Sequence, residues 1–304
     1  MKRHTAIWFL ILFVAAAGES QSVTISGVDN STLLVNQRVG VYLSVTDDSG
    51  MPIQGLTAEE FAVYEKTPWT SEKEREIVDF REGINVTQGV TMLLLVDNSG
   101  SMYYNASGSI QDSPDESIWR ITYAKEAVLS LLGDIENPAD RVGFSSFNLK
   151  TGTVVPPTDD KTKIEAAVQA IEKPGEGQGY TELYEALYEA VNTARNASGR
   201  TVIVLLSDGE NYPLEGNPNY PERKGLDGAL DFAQEEGVSI FTIGLSSGAD
   251  TEELKEIAAA TGGAFFSAYD PAELERLYSL IRNQILNEYW LAFRGGMEPS
   301  ELKS

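Results

Sequence analysis

A short turn that carries one aspartate and two serines is the part of this sequence best suited to chemistry. Asp97, Ser99 and Ser101 alternate along the turn, directly after the apolar run 90–96. Such a run predicts a buried strand, and open α/β sheets bind their ligands at the carboxyl ends of strands. One carboxylate and two hydroxyls on alternate residues are hard oxygen ligands, which suit Mg²⁺ or Mn²⁺. The spacing therefore indicates a cation site at the end of this strand.

Two further polar residues follow elements that lead to the same edge of the predicted sheet. Asp208 follows a second apolar strand over 201–207, and Thr181 follows the glycine-rich loop 175–179. That loop lacks the Lys-Ser/Thr ending of a P-loop, so we expect it to present Thr181 rather than to bind phosphate. Neighbouring parallel strands bring their C-terminal turns together, and two close carboxylates repel each other unless a cation lies between them. An ion held there largely by hydroxyls would be short of one ligand and would accept a carboxylate from another molecule.

The composition excludes several kinds of active site. The 304 residues include no cysteine and one histidine, His4, which lies in the N-terminal segment. Thiol nucleophiles and cysteine-based zinc sites are therefore excluded, and a mature chain without His4 has no Ser-His-Asp triad or histidine base. The formal charge of −23 repels nucleic acid and anionic membranes, whereas it attracts divalent cations and basic partners.

The N-terminal segment is typical of an export signal. Lys2 and Arg3 precede the apolar stretch 6–17, which is too short to span a bilayer comfortably, and small residues over 15–18 offer a cleavage site. We expect residues 1–20 to be a signal peptide, with an uncleaved anchor as the alternative. No later segment of the sequence reaches transmembrane length, so the mature protein is expected to be periplasmic or secreted.

Two patterns divide the remaining chain. Residues 21–87 alternate in the manner of strands and predict a small β-sandwich, which is short beside the about 100 residues usual for that fold. We therefore expect the aromatic segment 288–296 to return to it as a further strand, before a C-terminal tail over 297–304. Residues 88–287 alternate strand and helix, which predicts a doubly wound, mostly parallel α/β sheet with helices on both faces. Within this region, Ser113–Glu116 carries the capping signals of a helix start.

The three-part motif resembles the metal-ion-dependent adhesion site (MIDAS) of von Willebrand factor A domains. The matching residues are Asp97, Ser99, Ser101, Thr181 and Asp208. The resemblance implies Ser99, Ser101 and often Thr181 as direct metal ligands. It implies that Asp97 and Asp208 act largely through water. The β-rich segment before the motif resembles, more loosely, the leader of such domains in exported bacterial proteins, and it identifies no partner.

The resemblance covers residues 88–287 and implies a binding module rather than an enzyme. Mg²⁺ or Mn²⁺, with Ca²⁺ as a further candidate, would accept a carboxylate from a protein partner and so give metal-dependent adhesion or assembly. The alternative is a metal-dependent hydrolase such as a phosphoesterase, in which the same cation activates water and Asp97 or Glu210 is the base. Tyr103, Tyr104 and Asp112 lie in an insertion beside the metal turn, where they contact a ligand, form a second cation site or belong to an ordinary solvated loop. No repeat or coiled coil predicts an oligomeric state.

Overall fold

The chain forms two compact units, one of residues 1–84 together with 284–304 and the other of residues 85–283. The computed structural model describes residues 9–14, 21–29, 36–48, 50–66, 71–105, 114–197, 199–209, 211–245, 251–268 and 270–295. Each unit has a hydrophobic core of its own. Across these described ranges, no helix has both the length and the apolar character needed to cross a membrane.

Antiparallel strands build the first unit. Its strands are β1 Phe9–Val14, β2 Gln21–Asp29, β3 Arg38–Asp47, β4 Phe61–Lys66, β5 Lys73–Arg75, β6 Ile77–Glu82 and β13 Tyr289–Arg294. They form a four-stranded sheet in the order β2-β3-β13-β6 and a three-stranded sheet in the order β1-β4-β5. Strand β1 lies within the segment predicted to be a signal peptide, and it pairs with β4 from Phe9 opposite Lys66 to Val14 opposite Phe61.

The aromatic C-terminal segment is an interior strand of the larger sheet. Tyr289 lies opposite Leu43 on β3 and opposite Glu82 on β6, so β13 is paired on both sides. The Tyr289 ring packs against Phe61 and Phe80, with distances between ring centroids of 5.4 and 5.7 Å. Alternate residues of β3 and β13 point into the same core, which is the period expected of strands with one buried face.

The second unit is the predicted α/β sheet. After a short helix, α1 Ile84–Gln88, its elements are β7 Val90–Asp97, α2 Arg120–Asp134, β8 Arg141–Phe147, β9 Thr151–Thr158, α3 Lys161–Gln169, α4 Leu183–Ala194, β10 Arg200–Ser207, α5 Leu226–Glu235, β11 Ser239–Gly244, α6 Thr251–Ala260, β12 Phe265–Ser267 and α7 Pro271–Leu286. The strand order is β12-β11-β10-β7-β8-β9, and every neighbouring pair is parallel except β8 with β9. The prediction of a doubly wound, mostly parallel sheet beside a β-rich region is confirmed.

Two completely buried strands form the centre of this sheet. Every residue of β7 and of β10 is buried, as their continuous apolar sequences predict. Strands β8 and β9 extend the sheet on one side of β7, while β11 and β12 extend it on the other side of β10. The winding direction therefore reverses between β7 and β10, and ligands of doubly wound sheets bind outside the carboxyl ends of the strands at such a switch point.

The helix expected from Ser113–Glu116 begins later in the structure. Asp115 instead caps a 3₁₀ turn over Glu116–Ile118, where its carboxylate accepts a hydrogen bond from the Ser117 amide at 3.1 Å. The α-helix α2 begins only at Arg120, and Ser113 lies outside the described residues. The local capping signal was correct for a turn and wrong for the helix, and the shift places Arg120 at the first residue of α2.

Candidate metal centre

The two aspartates of the predicted site lie at the switch point of the sheet. Val96 is paired with Leu206 in the parallel register of β7 and β10, so the two strands end level with each other. Asp97 is the last residue of β7, and Asp208 follows directly on Ser207 at the end of β10. The register therefore brings together two acidic turns that are more than a hundred residues apart in the sequence.

The buried Asp97 side chain holds the turn that carries Ser99 and Ser101, which we call the serine turn. It is fully buried, its Oδ1 accepts the Ser99 amide at 2.7 Å, and its Oδ2 accepts the Ser207 hydroxyl at 2.7 Å. The turn that it holds places the Ser99 and Ser101 hydroxyl oxygens 3.0 Å apart. Both oxygens of Asp97 are thus engaged by the protein, while the two serine hydroxyls lie side by side.

The glycine-rich loop packs directly against this turn. The Gly100 amide donates to the Gly179 carbonyl at 3.1 Å. A Cβ atom on Gly179 would lie 3.2 Å from the Gly100 Cα, so the close approach depends on glycine at this position. Two residues later Thr181 is buried, and its amide and carbonyl exchange hydrogen bonds with the backbone of Tyr212 at 2.9 and 3.0 Å. Thr181 therefore lies in a buried segment that begins two residues after the contact between Gly179 and Gly100.

Asp208 is neutralised by a residue that the sequence analysis missed. The Arg120 Nη1 donates to Asp208 Oδ2 at 2.6 Å, and both side chains are less than a tenth exposed. The same nitrogen donates to the Ser101 carbonyl at 3.2 Å, which ties the serine turn to the second aspartate. The only signal for Arg120 was a basic residue within a predicted helix, and the structure places it at the first residue of α2.

The charges of the two aspartates influence each other. Burial and, to a smaller extent, the negative charge of Asp208 together raise the pKa of Asp97 from its ordinary 3.8 to about 7. The hydrogen bonds from Ser207 and Ser99 oppose this rise only in part. The site therefore disfavours a second full negative charge, which is the condition that a divalent cation would relieve.

The chemistry of the donor set fits a small, hard cation. Two oxygen ligands on adjacent corners of a Mg²⁺ octahedron lie about 3.0 Å apart, given metal–oxygen distances of about 2.1 Å. The Ser99 and Ser101 hydroxyls have a spacing of 3.0 Å. Within the described part of the chain, no group of three or more His, Cys, Asp or Glu side chains could hold a metal ion. A metal at this edge would therefore depend on hydroxyls as well as on carboxylates.

Tyr103, the aromatic residue beside the serine turn, packs within the protein. Tyr103 is buried and donates its hydroxyl to Asn98 Oδ1 at 2.7 Å, and it packs edge-on against Trp119 with ring centroids 5.2 Å apart. Tyr103 is therefore held by contacts with Asn98 and Trp119 within the protein. Asp112 and Glu210, the other acidic residues considered from the sequence, lie outside the described residues.

Comparison with known proteins identifies the same region of the chain. Residues 92–280 match the von Willebrand factor type A domain. A UPF0353 protein from Mycolicibacterium paratuberculosis (strain ATCC BAA-968 / K-10) is 29% identical over 214 residues, which cover 64% of this chain and 60% of the relative. The chain thus spans less than two thirds of that relative's length.

Solved structures with related folds were also found. An aerotolerance-related membrane protein from Bacteroides fragilis is 21% identical, with 65% of this chain and 98% of that chain covered and a TM-score of 0.49. The PilB minor pilin from Streptococcus sanguinis is 13% identical, with 91% and 92% covered and a TM-score of 0.50, and this likeness concerns the fold alone. The family match spans more than half of the chain, and this protein therefore belongs to the von Willebrand factor type A domain family.

Proposed function

We propose that this protein is a metal-dependent protein-binding module, in which Mg²⁺ or Mn²⁺ accepts a carboxylate from a partner protein. Domains of its family generally mediate metal-dependent protein interactions. The observation that carries the proposal is the pair of serine hydroxyls, Ser99 and Ser101, whose oxygens lie 3.0 Å apart beside two buried carboxylates. Their position at the switch point of the sheet is where such folds bind ligands.

The proposed metal-binding residues are Asp97, Ser99, Ser101, Thr181 and Asp208. The serine hydroxyls are neutral donors, so they bind the ion without cancelling its charge. Asp97 already accepts two hydrogen bonds within the protein, which favours a role through water rather than direct ligation. When bound, the ion supplies a Lewis-acidic position for an external carboxylate. Ca²⁺ remains a further candidate, because its flexible coordination geometry also accepts two hydroxyl oxygens at this spacing.

We further propose that the protein is exported and that its partner is a protein with a basic surface. The export proposal rests on the charged and apolar pattern of residues 1–20. The partner proposal rests on the formal charge of −23, which would accelerate association with a basic region around the carboxylate that the metal accepts. The same charge disfavours nucleic acid as the partner.

The hydrolase alternative has less support. A general base must reach the water or hydroxyl from which it removes a proton. Asp97 has the raised pKa of a base, but it is fully buried and each of its oxygens already accepts a hydrogen bond. Domains of this family are typically interaction modules rather than enzymes. The geometry therefore favours binding over turnover.

Calorimetric titration with Mg²⁺ and Mn²⁺ tests the proposal directly. The wild-type protein should bind one ion, and Asp208→Ala should lose that binding. Asp159→Ala is the matched control, because it removes the same charge from a side chain that is 72% exposed, after the end of β9. Absence of binding to the wild type, or equal loss in both variants, would contradict the proposal. Turnover of phosphatase or peptidase substrates with Mn²⁺ would favour the hydrolase instead.

A further inference from the structure

The Arg120 side chain is a buried cation within the proposed metal centre. It is 6% exposed, and a single guanidinium nitrogen, Nη1, contacts both Asp208 Oδ2 and the Ser101 carbonyl. The pair is therefore not the two-pronged arrangement in which arginine binds carboxylates most strongly. The Nε atom of the same guanidinium is buried without a hydrogen-bond partner. Arg120 thus supplies positive charge to Asp208 through a contact that is less than optimal for arginine.

We propose that Arg120 is the internal counter-ion of the metal centre, which holds Asp208 in the metal-free protein and competes with the divalent cation for that carboxylate. This inference rests on the proposed function. The guanidinium and the ion would both be drawn to Asp208, and they would repel each other at a distance of a few ångströms. Charges at such distances interact strongly when both are shielded from solvent. The metal therefore binds against an existing positive charge, and the affinity of the site is set below what its oxygen ligands alone would give.

Thermodynamic linkage predicts whether removal of Arg120 raises or lowers the affinity for metal. Removing the guanidinium takes a favourable ion pair away from the metal-free protein, whereas it takes a repulsive neighbour away from the metal-bound protein. The metal-free state is destabilised more than the metal-bound state, so the affinity for metal must rise. A purely structural role predicts the opposite result, because a disordered Asp208 would bind metal less well. The sign of the change in affinity separates the two roles.

The test is calorimetric titration of the full chain with Mg²⁺ and Mn²⁺, comparing the wild type with Arg120→Met. We expect the variant to bind at least about tenfold more tightly, since one buried unit charge is removed from beside the ion. Arg195→Met is the matched control. Arg195 follows the end of α4, at the edge of the sheet opposite the site, and its ion pair with Glu236 is partly exposed. It should bind metal as the wild type does.

A second variant keeps the test decisive if Arg120→Met does not fold without metal. Arg120→Gln removes the charge but retains an N–H donor toward Asp208, and it should also tighten metal binding while its circular dichroism stays that of the wild type. If the wild type binds metal and the Arg120 variants bind it equally tightly or more weakly, this inference is overturned and the proposed function stands. Absence of binding in every variant overturns both.

Discussion

The turns after β7 and β10 occupy matching positions at neighbouring strand ends, yet they treat their aspartates differently. Asp97 accepts hydrogen bonds from neutral donors, and its pKa is raised to about 7 by burial and by the charge of Asp208. Asp208 instead forms an ion pair with Arg120. A proton can neutralise the first carboxylate, whereas a guanidinium neutralises the second. The comparison shows two different ways in which the negative charge of a buried carboxylate at a strand end is neutralised.

The largest expected loss of stability comes from removing Asp208, the carboxylate that has a charged partner. Asp208→Ala leaves the buried Arg120 guanidinium unpaired, which should cost about 3–5 kcal/mol of unfolding free energy in EDTA. Asp97→Asn should cost much less at pH 7, because its partners are uncharged. Urea denaturation of both variants measures the difference. Equal losses would show that the two carboxylates are held in the same way.

Asp97 should contribute to the pH dependence of stability. Its pKa is about 7 in the folded protein and near 3.8 when exposed, so the folded state binds the extra proton between these values. Stability from this proton is fully present below pH 3.8 and is lost as the pH rises through 7, by a total on the order of 2–4 kcal/mol. In EDTA, denaturation midpoints of the wild type should fall from pH 5 to pH 8.

Asp97→Asn is the variant that isolates this titration. It cannot ionise, so its stability should change less over the same pH range and should exceed that of the wild type at pH 8 in EDTA. Arg195→Met serves as the control for a general change in protein charge, and it should keep the wild-type slope. A slope that persists undiminished in Asp97→Asn would assign the titration to another group.

A smaller effect is expected from the hydroxyl that supports Asp97. The Ser207 Oγ donates to Asp97 Oδ2 and accepts the Gly209 amide at 3.0 Å. Ser207→Ala should therefore cost about 1–3 kcal/mol, because it leaves buried polar groups without partners. The loss should be larger at pH 8 than at pH 6, since the ionised Asp97 needs the donor more than the protonated form does. Denaturation at both pH values measures it, and a loss independent of pH would separate Ser207 from the charge of Asp97.

The smallest expected effect on stability comes from a change in the glycine-rich loop 175–179. Gly179→Ala would bring a Cβ atom to 3.2 Å from the Gly100 Cα, so the loop must shift by a few tenths of an ångström. We expect a loss of about 1 kcal/mol in stability and a few-fold loss in Mg²⁺ affinity, because Thr181 moves with the loop. Gly177→Ala is less suitable as a control since Gly177 has a positive φ of 72°. Gly175→Ala, whose nearest neighbour is the end of the Gln178 side chain at 3.6 Å, should change neither quantity.

Much of this geometry could be predicted from the sequence, because it depends on strand ends. The apolar runs of β7 and β10 fix where Asp97 and Asp208 emerge, and parallel pairing then brings the two turns together. The order of strands and helices gave the fold class in the same way. Whether the site binds a metal is a chemical property that the residue pattern predicts and that the titrations must test.

Arg120 could not be predicted because its place depends on tertiary packing. The signals around Asp115 are those of a helix start, yet they cap a 3₁₀ turn and the helix begins at Arg120. Short capping patterns serve both kinds of turn equally well, so the sequence alone does not separate them. The pairing of Arg120 with Asp208 joins residues on distant segments, for which no local pattern exists.

The pairing of Tyr289 with Glu82 has a consequence for how such a chain can change. The α/β region leaves the four-stranded sheet after β6 and returns to it at β13, at residues that face each other across two neighbouring strands. A loop of hairpin length could join these two points and leave the strand order of that sheet as it is. The whole α/β region is therefore an insertion between two paired strands. Recombination or protein engineering could exchange it for another domain without changing the sequence of the antiparallel sheet.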